Sequence, residues 1–248
     1  ADLRRLDRAR KDKKVSNDQW ESPTDPDSRI AKMKDGRTHL AYKAEHAVDL
    51  ETGALVGITV QAADMDDRQT LHATLAQVRE NLYCAAQNED ARGQMKPLKD
   101  IVADKGYHST ATLETLIDEY HLRPCISEPD RGRGKWIGRQ DEQALVYANR
   151  INLNSERGKA LLKKRGEMVE RSFAHCYESG GLRRVHVRGH EEIRKRTFIQ
   201  AAAFNFGVAM RKIFHAGTPK GYKALQTALV RIFWRITHSI APPQTYDG

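Results

Sequence analysis

The sequence predicts an α/β domain with a mixed sheet, and three observations carry that prediction. Two β-rich runs, HLAYKAEHAVD from His39 and ALVGITVQAAD from Ala54, flank Gly53 as the arms of a hairpin would. Leu71, Leu75, Val78 and Leu82 follow at helical spacing. DIVADKGYHS then gives a short apolar run ending in Asp104 and Gly106, the pattern of a buried strand that delivers a carboxylate to its carboxyl end. The order of strand, strand, helix, strand, helix, strand belongs to α/β architecture.

Taken along the chain, residues 1–37 mix the charged run Arg8 to Lys14 with Pro23, Pro26 and Gly36 and hold no sustained apolar period, so they read as an extended charged lead-in. After the hairpin, Asp66 or Asp67 is placed to cap a helix over 67–82. Ser109 or Thr110 can cap a second helix over 111–120, and 123–127 supplies another short strand. Residues 128–140 interrupt the regularity with Pro129, Gly132, Gly134, Gly138 and the bases Arg131, Arg133, Lys135 and Arg139; a mobile basic loop is expected. Gly132 to Lys135 lacks the GxxxxGK[ST] spacing of a phosphate loop, which argues against a nucleotide triphosphatase. Helical signals resume at Glu142, strengthen over 160–177 and stop at Gly180 and Gly181. A helix over 197–214 is expected to close the core, and from Gly217 the pattern fits helix or disorder equally. The expected division is a lead-in of residues 1–37, a domain of 38–216 and a tail of 217–248.

With 30% charged and 39% hydrophobic residues, 248 residues suit one soluble domain with a modest core. No run approaches the roughly 20 apolar residues of a membrane span, and the amino-terminal run is charged where a signal peptide would be apolar, so a cytoplasmic location is expected. Cys84, Cys125 and Cys176 are far apart and free of CxxC pairing, which favours reduced thiols over a disulfide framework or a zinc site. A net charge of +9 favours a polyanionic partner, nucleic acid first, because each neutralised phosphate releases counterions. From Ile193 onward Arg194, Lys195, Arg196, Arg211, Lys212, Lys220, Lys223, Arg231 and Arg235 face a single acid, Asp247. That asymmetry describes either a basic binding face or a solvated helix surface.

Phosphoryl transfer without a covalent intermediate can be driven by two divalent ions held about 4 Å apart by carboxylates that meet from distant parts of the chain. Asp104 fits one such carboxylate. Glu170 fits another, in a helix whose Leu161, Leu162, Val169 and Phe173 could face the sheet. A loop insertion must then lie between the last strand and that helix. Glu167, three residues before Glu170, is either a helper carboxylate or a surface acid paired with Lys163 or Lys164. His186 and His190 have the spacing of two metal ligands on a helix, yet Gly189, Arg183, Arg184 and Arg188 point to a basic turn. His108 could touch the site or serve capping and packing. Trp20, Trp136 and Trp234 are too scattered for a stacking platform.

The segments DPDSRIAKMKDGRTHLAYKAEHAVDLETGALVGITVQAAD, VADKGYHS, ISEPDRGRGKW and RGKALLKKRGEMVERSFAHCYESGGLRRVHVRGHEEIRKR together resemble bacterial insertion-sequence transposases of the DDE type, across about residues 1–221. The resemblance implies a ribonuclease H-like mixed sheet with flanking helices. It implies that Asp104 is the second acid of the catalytic triad and Glu170 the third, both holding Mg2+ or Mn2+. Lys164, Arg165, Arg171, Arg183, Arg184 and Arg188 resemble bases brought to the backbone of double-stranded DNA, at transposon ends and target. A homodimer would suit the cutting of two ends.

One departure accompanies these matches. In the family the first acid lies on a strand before the hairpin, which here would fall before residue 1; the fold is therefore expected to lack its first central strand. Within the chain Asp49 and Asp64 are the available stand-ins, but Asp49 fits turn chemistry with Gly53 and Asp64 the following helix start, so no first acid is assigned. The 248-residue chain alone is accordingly expected to be less stable than a longer form and to lack cleavage activity. The other readings are a remnant that binds DNA without cutting it and a metal-dependent nuclease of the same fold.

Overall fold

The computed structural model describes Asn17 and residues 20–32, 36–88, 96–130, 136–215 and 219–239. The charged run Arg8 to Lys14, the centre of the basic loop at 131–135, residue 216, and residues 217–218 and 240–248 of the tail lie outside these described residues.

The hairpin forms where the alternation places it. Strand β2 (Thr38–Val48) pairs antiparallel with β3 (Leu55–Ala62), from Tyr42 opposite Ala62 to Val48 opposite Leu55, with a register shift at Ala47/Val48. Gly53 turns the chain at φ +77°, a conformation open to residues without a Cβ, and its N–H donates to the Asp49 carbonyl at 2.8 Å. The lead-in is more than a tether: Arg29–Lys32 forms β1, paired antiparallel with Thr38–Ala41 at the start of β2. Four residues alternate too briefly to stand out from a charged background, so the sequence hides this strand.

Helix α1 (Asp67–Ala86) is capped by Asp66, whose side chain accepts from the Arg68 N–H. Asp64 therefore does not serve the helix start; it accepts a hydrogen bond from Asn17 instead, at 3.0 Å. Strand β4 (Asp100–Ala103) pairs in parallel with β5 (Arg123–Ile126), and helix α2 (Thr110–Asp118), capped by Ser109, connects them. Antiparallel and parallel pairing are both present, as a mixed α/β domain of the ribonuclease H-like kind requires. They occupy two ladders, β1-β2-β3 and β4-β5, which share no strand pairing among the described residues.

The interval expected to hold a loop insertion contains, where helical signals resume near Glu142, the helix α3 (Gln140–Asn154), with Asp141 and Glu142 favourably placed in its first turn. Its Asn149 is fully buried and acts as a strand would: Nδ2 donates to the Ile126 carbonyl at 2.8 Å and Oδ1 accepts from the Ile126 N–H at 3.0 Å. Asn152 adds a bond to the Pro124 carbonyl at 3.1 Å. The outer edge of β5 is thus capped by side chains. Helix α4 (Glu156–Ala174), capped by Ser155, continues into a π-turn at His175–Ser179 and stops at Gly180. The core joins α1, β4, α2, β5 and α3 through Leu71, Leu75, Ala103, Leu113, Leu116, Leu122, Ile126 and Val146.

Helix α5 (His190–Phe214) starts about two turns before the expected Thr197, because its first turns are charged and hold a single apolar residue, Ile193, too little to set a period. The lead-in anchors that start: Asp25 accepts from the Gly189 N–H at 3.1 Å and Asp27 from the His190 N–H at 2.9 Å. The His190 Nε2 donates to the Val60 carbonyl at 2.7 Å. The chain divides into two compact units, residues 1–201 and 202–248. In the second, residues over which helix and disorder were equally consistent form α6 (Pro219–Ser239), which carries bases and no acid. No helix among the described residues is long and apolar enough to cross a membrane.

Candidate active site

Two faces of β2 organise the site. Odd-numbered side chains meet α1: Glu45 accepts from Thr70 and, at 2.6 Å, from Thr74, while Thr59 of β3 bonds Thr74 at 2.7 Å. On the even-numbered face His46 meets α4: its ring stacks on Phe173 with centroids 3.9 Å apart, and its Nδ1 bonds the Ser172 hydroxyl at 2.9 Å. Burial depresses His46 to a pKa of about 4. Its Nε2 has no hydrogen-bond partner among the described residues.

Asp104 emerges at the carboxyl end of β4, exposed, and caps the 3-10 turn Lys105–Tyr107 by accepting the Lys105 N–H at 2.7 Å through Oδ1. The turn is held from behind. Tyr107 donates to Glu45 at 3.1 Å, and burial, reinforced by the Glu45 charge, raises its pKa. A Cβ on Gly106 would collide with the Asp67 carboxylate, which is ion-paired with Lys43. Lys43 also lies 3.5 Å from Glu45. Glu45, Lys43 and Tyr107 were not singled out from the sequence, and Asp67 only as a possible helix cap.

Helix α4 packs against both β2 and β4. The Arg165 charge reaches Tyr107, and a rise of 1.5 Å per residue puts Glu170 about 7.5 Å further along the axis. Ser172, not Leu161 or Leu162, marks the most buried side of this helix. Glu170 is exposed, about 160° around the helix from Ser172, with no hydrogen bond or ion pair among the described residues. Gly166, one turn before it, has open space where a Cβ would stand. Asp104 and Glu170 are hard oxygen donors with free lone pairs, the donor chemistry that Mg2+ or Mn2+ takes together with several waters. No group of three His, Cys, Asp or Glu side chains able to hold a metal ion converges among the described residues.

The remaining candidates separate. Glu167 pairs with Arg171 at 2.5 Å, not with Lys163 or Lys164, and is a surface acid. Lys164 lies where its charge acts on Asp49; burial opposes ionisation there, but bonds from Thr52 and Glu51 together with Lys164 hold the carboxyl below its usual pKa. Asp49 accepts from the Thr52 N–H at 2.8 Å, so it does turn chemistry beside Gly53. Arg183 pairs with Glu178, whereas Arg184 and Arg188 are exposed in the turn before α5. His186 belongs to that turn and His190 to the helix, so they do not share a helix face. His108 is buried at the end of the 3-10 turn.

A family model for the transposase DDE domain matches residues 8–206, more than half of the chain. The chain belongs to the transposase DDE domain family. No curated protein and no solved structure matches it. The match covers every strand among the described residues and ends within α5, so α6 of this DDE domain protein follows the matched region.

Proposed function

We propose that this chain serves DNA transposition in the cytoplasm: metal-dependent cleavage at the ends of an insertion sequence, then transfer of the freed 3′ end to target DNA, by a domain spanning residues 38–216. The observation that carries the reading is the exposed Asp104 at the carboxyl end of a strand packed against the Glu170 helix, in a chain of the transposase family. Asp104 and Glu170 are the residues that hold Mg2+ or Mn2+; when bound, such an ion lowers the pKa of an attacking water and neutralises charge on the scissile phosphate. Lys164, Arg165, Arg171, Arg183, Arg184 and Arg188 contact the phosphates of double-stranded DNA, of which Arg184 and Arg188 are exposed and carry no ion pair among the described residues. Cutting two ends favours a homodimer. A second reading, DNA binding without cleavage, is supported by Arg184 and Arg188, exposed and without an ion pair among the described residues.

One assay separates the two. The purified chain is incubated with duplex carrying the ends of its own element, with and without Mg2+, and both gel retardation and nicking are scored. Mg2+-dependent nicking that disappears in Asp104→Asn and Glu170→Gln supports the first reading and overturns the expectation that this chain, with no first acid assigned, does not cleave. Retardation without nicking supports the second. If the chain neither retards nor nicks the duplex, both readings are wrong.

A further inference from the structure

Glu45 is a carboxylate 4% exposed, and it faces the buried network on the α1 side of the sheet. Such a charge is costly to bury unless its lone pairs are filled, and here three oxygen donors fill them: Thr70, Thr74 and the Tyr107 phenol, with Lys43 beside them. Thr70 and Thr74 lock it to α1 and its own backbone locks it to β2. The Tyr107 bond is different in kind, because it reaches 62 residues along the chain to the turn that begins with Asp104. The same turn meets Asp67 at Gly106, and Asp67 is paired to Lys43. Two rigid elements therefore grip a three-residue turn whose first neighbour is an exposed carboxylate.

We propose that Glu45, through Tyr107, is a positioning residue that fixes the turn carrying Asp104, so that this carboxylate is presented to a divalent ion in one orientation. The proposal deepens the transposase reading and rests on it for the role of Asp104. Partners that orient a metal-binding group contribute about ten- to a hundredfold to metal affinity, and a single neutral donor belongs at the lower end of that range.

The test uses the full 248-residue chain, with Mn2+ as the probe. Wild type, Asp104→Asn, Tyr107→Phe and a control, Tyr120→Phe, are titrated calorimetrically with Mn2+, melted, and compared by hydrogen exchange over residues 104–108. Tyr107→Phe keeps the ring and removes only the hydroxyl. The expected result is a Mn2+-binding component lost in Asp104→Asn and weakened about tenfold in Tyr107→Phe, with faster exchange confined to residues 104–108. Melting should shift by no more than about 4 °C and Tyr120→Phe should match wild type. Exchange at 104–108 unchanged in Tyr107→Phe overturns the positioning role, as does acceleration throughout the domain with a collapsed melting temperature, which would mark a merely structural bond. If Asp104→Asn leaves Mn2+ binding intact, the metal assignment of Asp104 fails, and local exchange in Tyr107→Phe still decides whether Glu45 holds the turn.

Discussion

His46 stacks on Phe173 and bonds Ser172, an arrangement that suits a neutral imidazole, and burial lowers its pKa from 6.5 to about 4. A depressed folded-state value means that between these two pH values the unfolded chain takes up a proton that the folded chain refuses. Stability from this group is therefore complete above pH 6.5 and is lost as pH falls towards 4, by about 3 kcal/mol in all. Urea melts from pH 7 to 4.5 should show a steeper decline in wild type than in His46→Gln; equal slopes would refute the assignment. Gly158 gives a second test at this scale. A Cβ there would overlap the Asn152 carbonyl, which is backbone and cannot swing away, so Gly158→Ala should cost about 1–3 kcal/mol in a denaturant melt despite its better helix propensity. Asp104 was legible in the sequence because an apolar run followed by Asp and then Gly has few other meanings. Glu45 was not, since a lone Glu in an alternating strand reads as solvent-facing until α1 covers that face.

Among the elements, the hairpin, β4, α2 and β5 were readable because turn residues bracket each of them. The Glu170 helix was readable because its apolar period is long. Strand β1 and the first turns of α5 were not, the one being too short and the other too charged; the anchoring of α5 by Asp25 and Asp27 is a tertiary fact with no local signature. The expected basic face also changes at this scale, because Arg194 pairs with Glu191 and Lys195 with Glu192, acids that precede the stretch in which Asp247 was the only acid. Pairing also sorts the candidate DNA contacts. Arg184 and Arg188 should each contribute about 0.9 to the slope of log binding constant against log salt. Arg171 and Arg183, already sharing Glu167 and Glu178, should contribute less. Fluorescence anisotropy of labelled duplex from 50 to 200 mM salt, on the four single alanine variants, measures the difference; four equal slopes would contradict it.

For the whole molecule, the decisive feature is that β2-β3 and β4-β5 stand as separate ladders tied together by side chains: Glu45 to Tyr107 from one, and helix α4 packed on both. A class could be predicted from element order, but the division into two ladders could not, since order says nothing about which edges meet. Asn149 closes one of those edges. Its replacement by Leu strands the Ile126 N–H and carbonyl, and should cost roughly 2–4 kcal/mol and raise light scattering as an open edge recruits other chains.

That closure also gives the smaller ladder a direction. With the β5 flank occupied by an amide, accretion of any further strand, from whatever source, is steered to the flank of β4. A newcomer docking there would come to rest beside the exposed carboxylate at position 104, so that enlarging the sheet would also change the surroundings of that carboxylate.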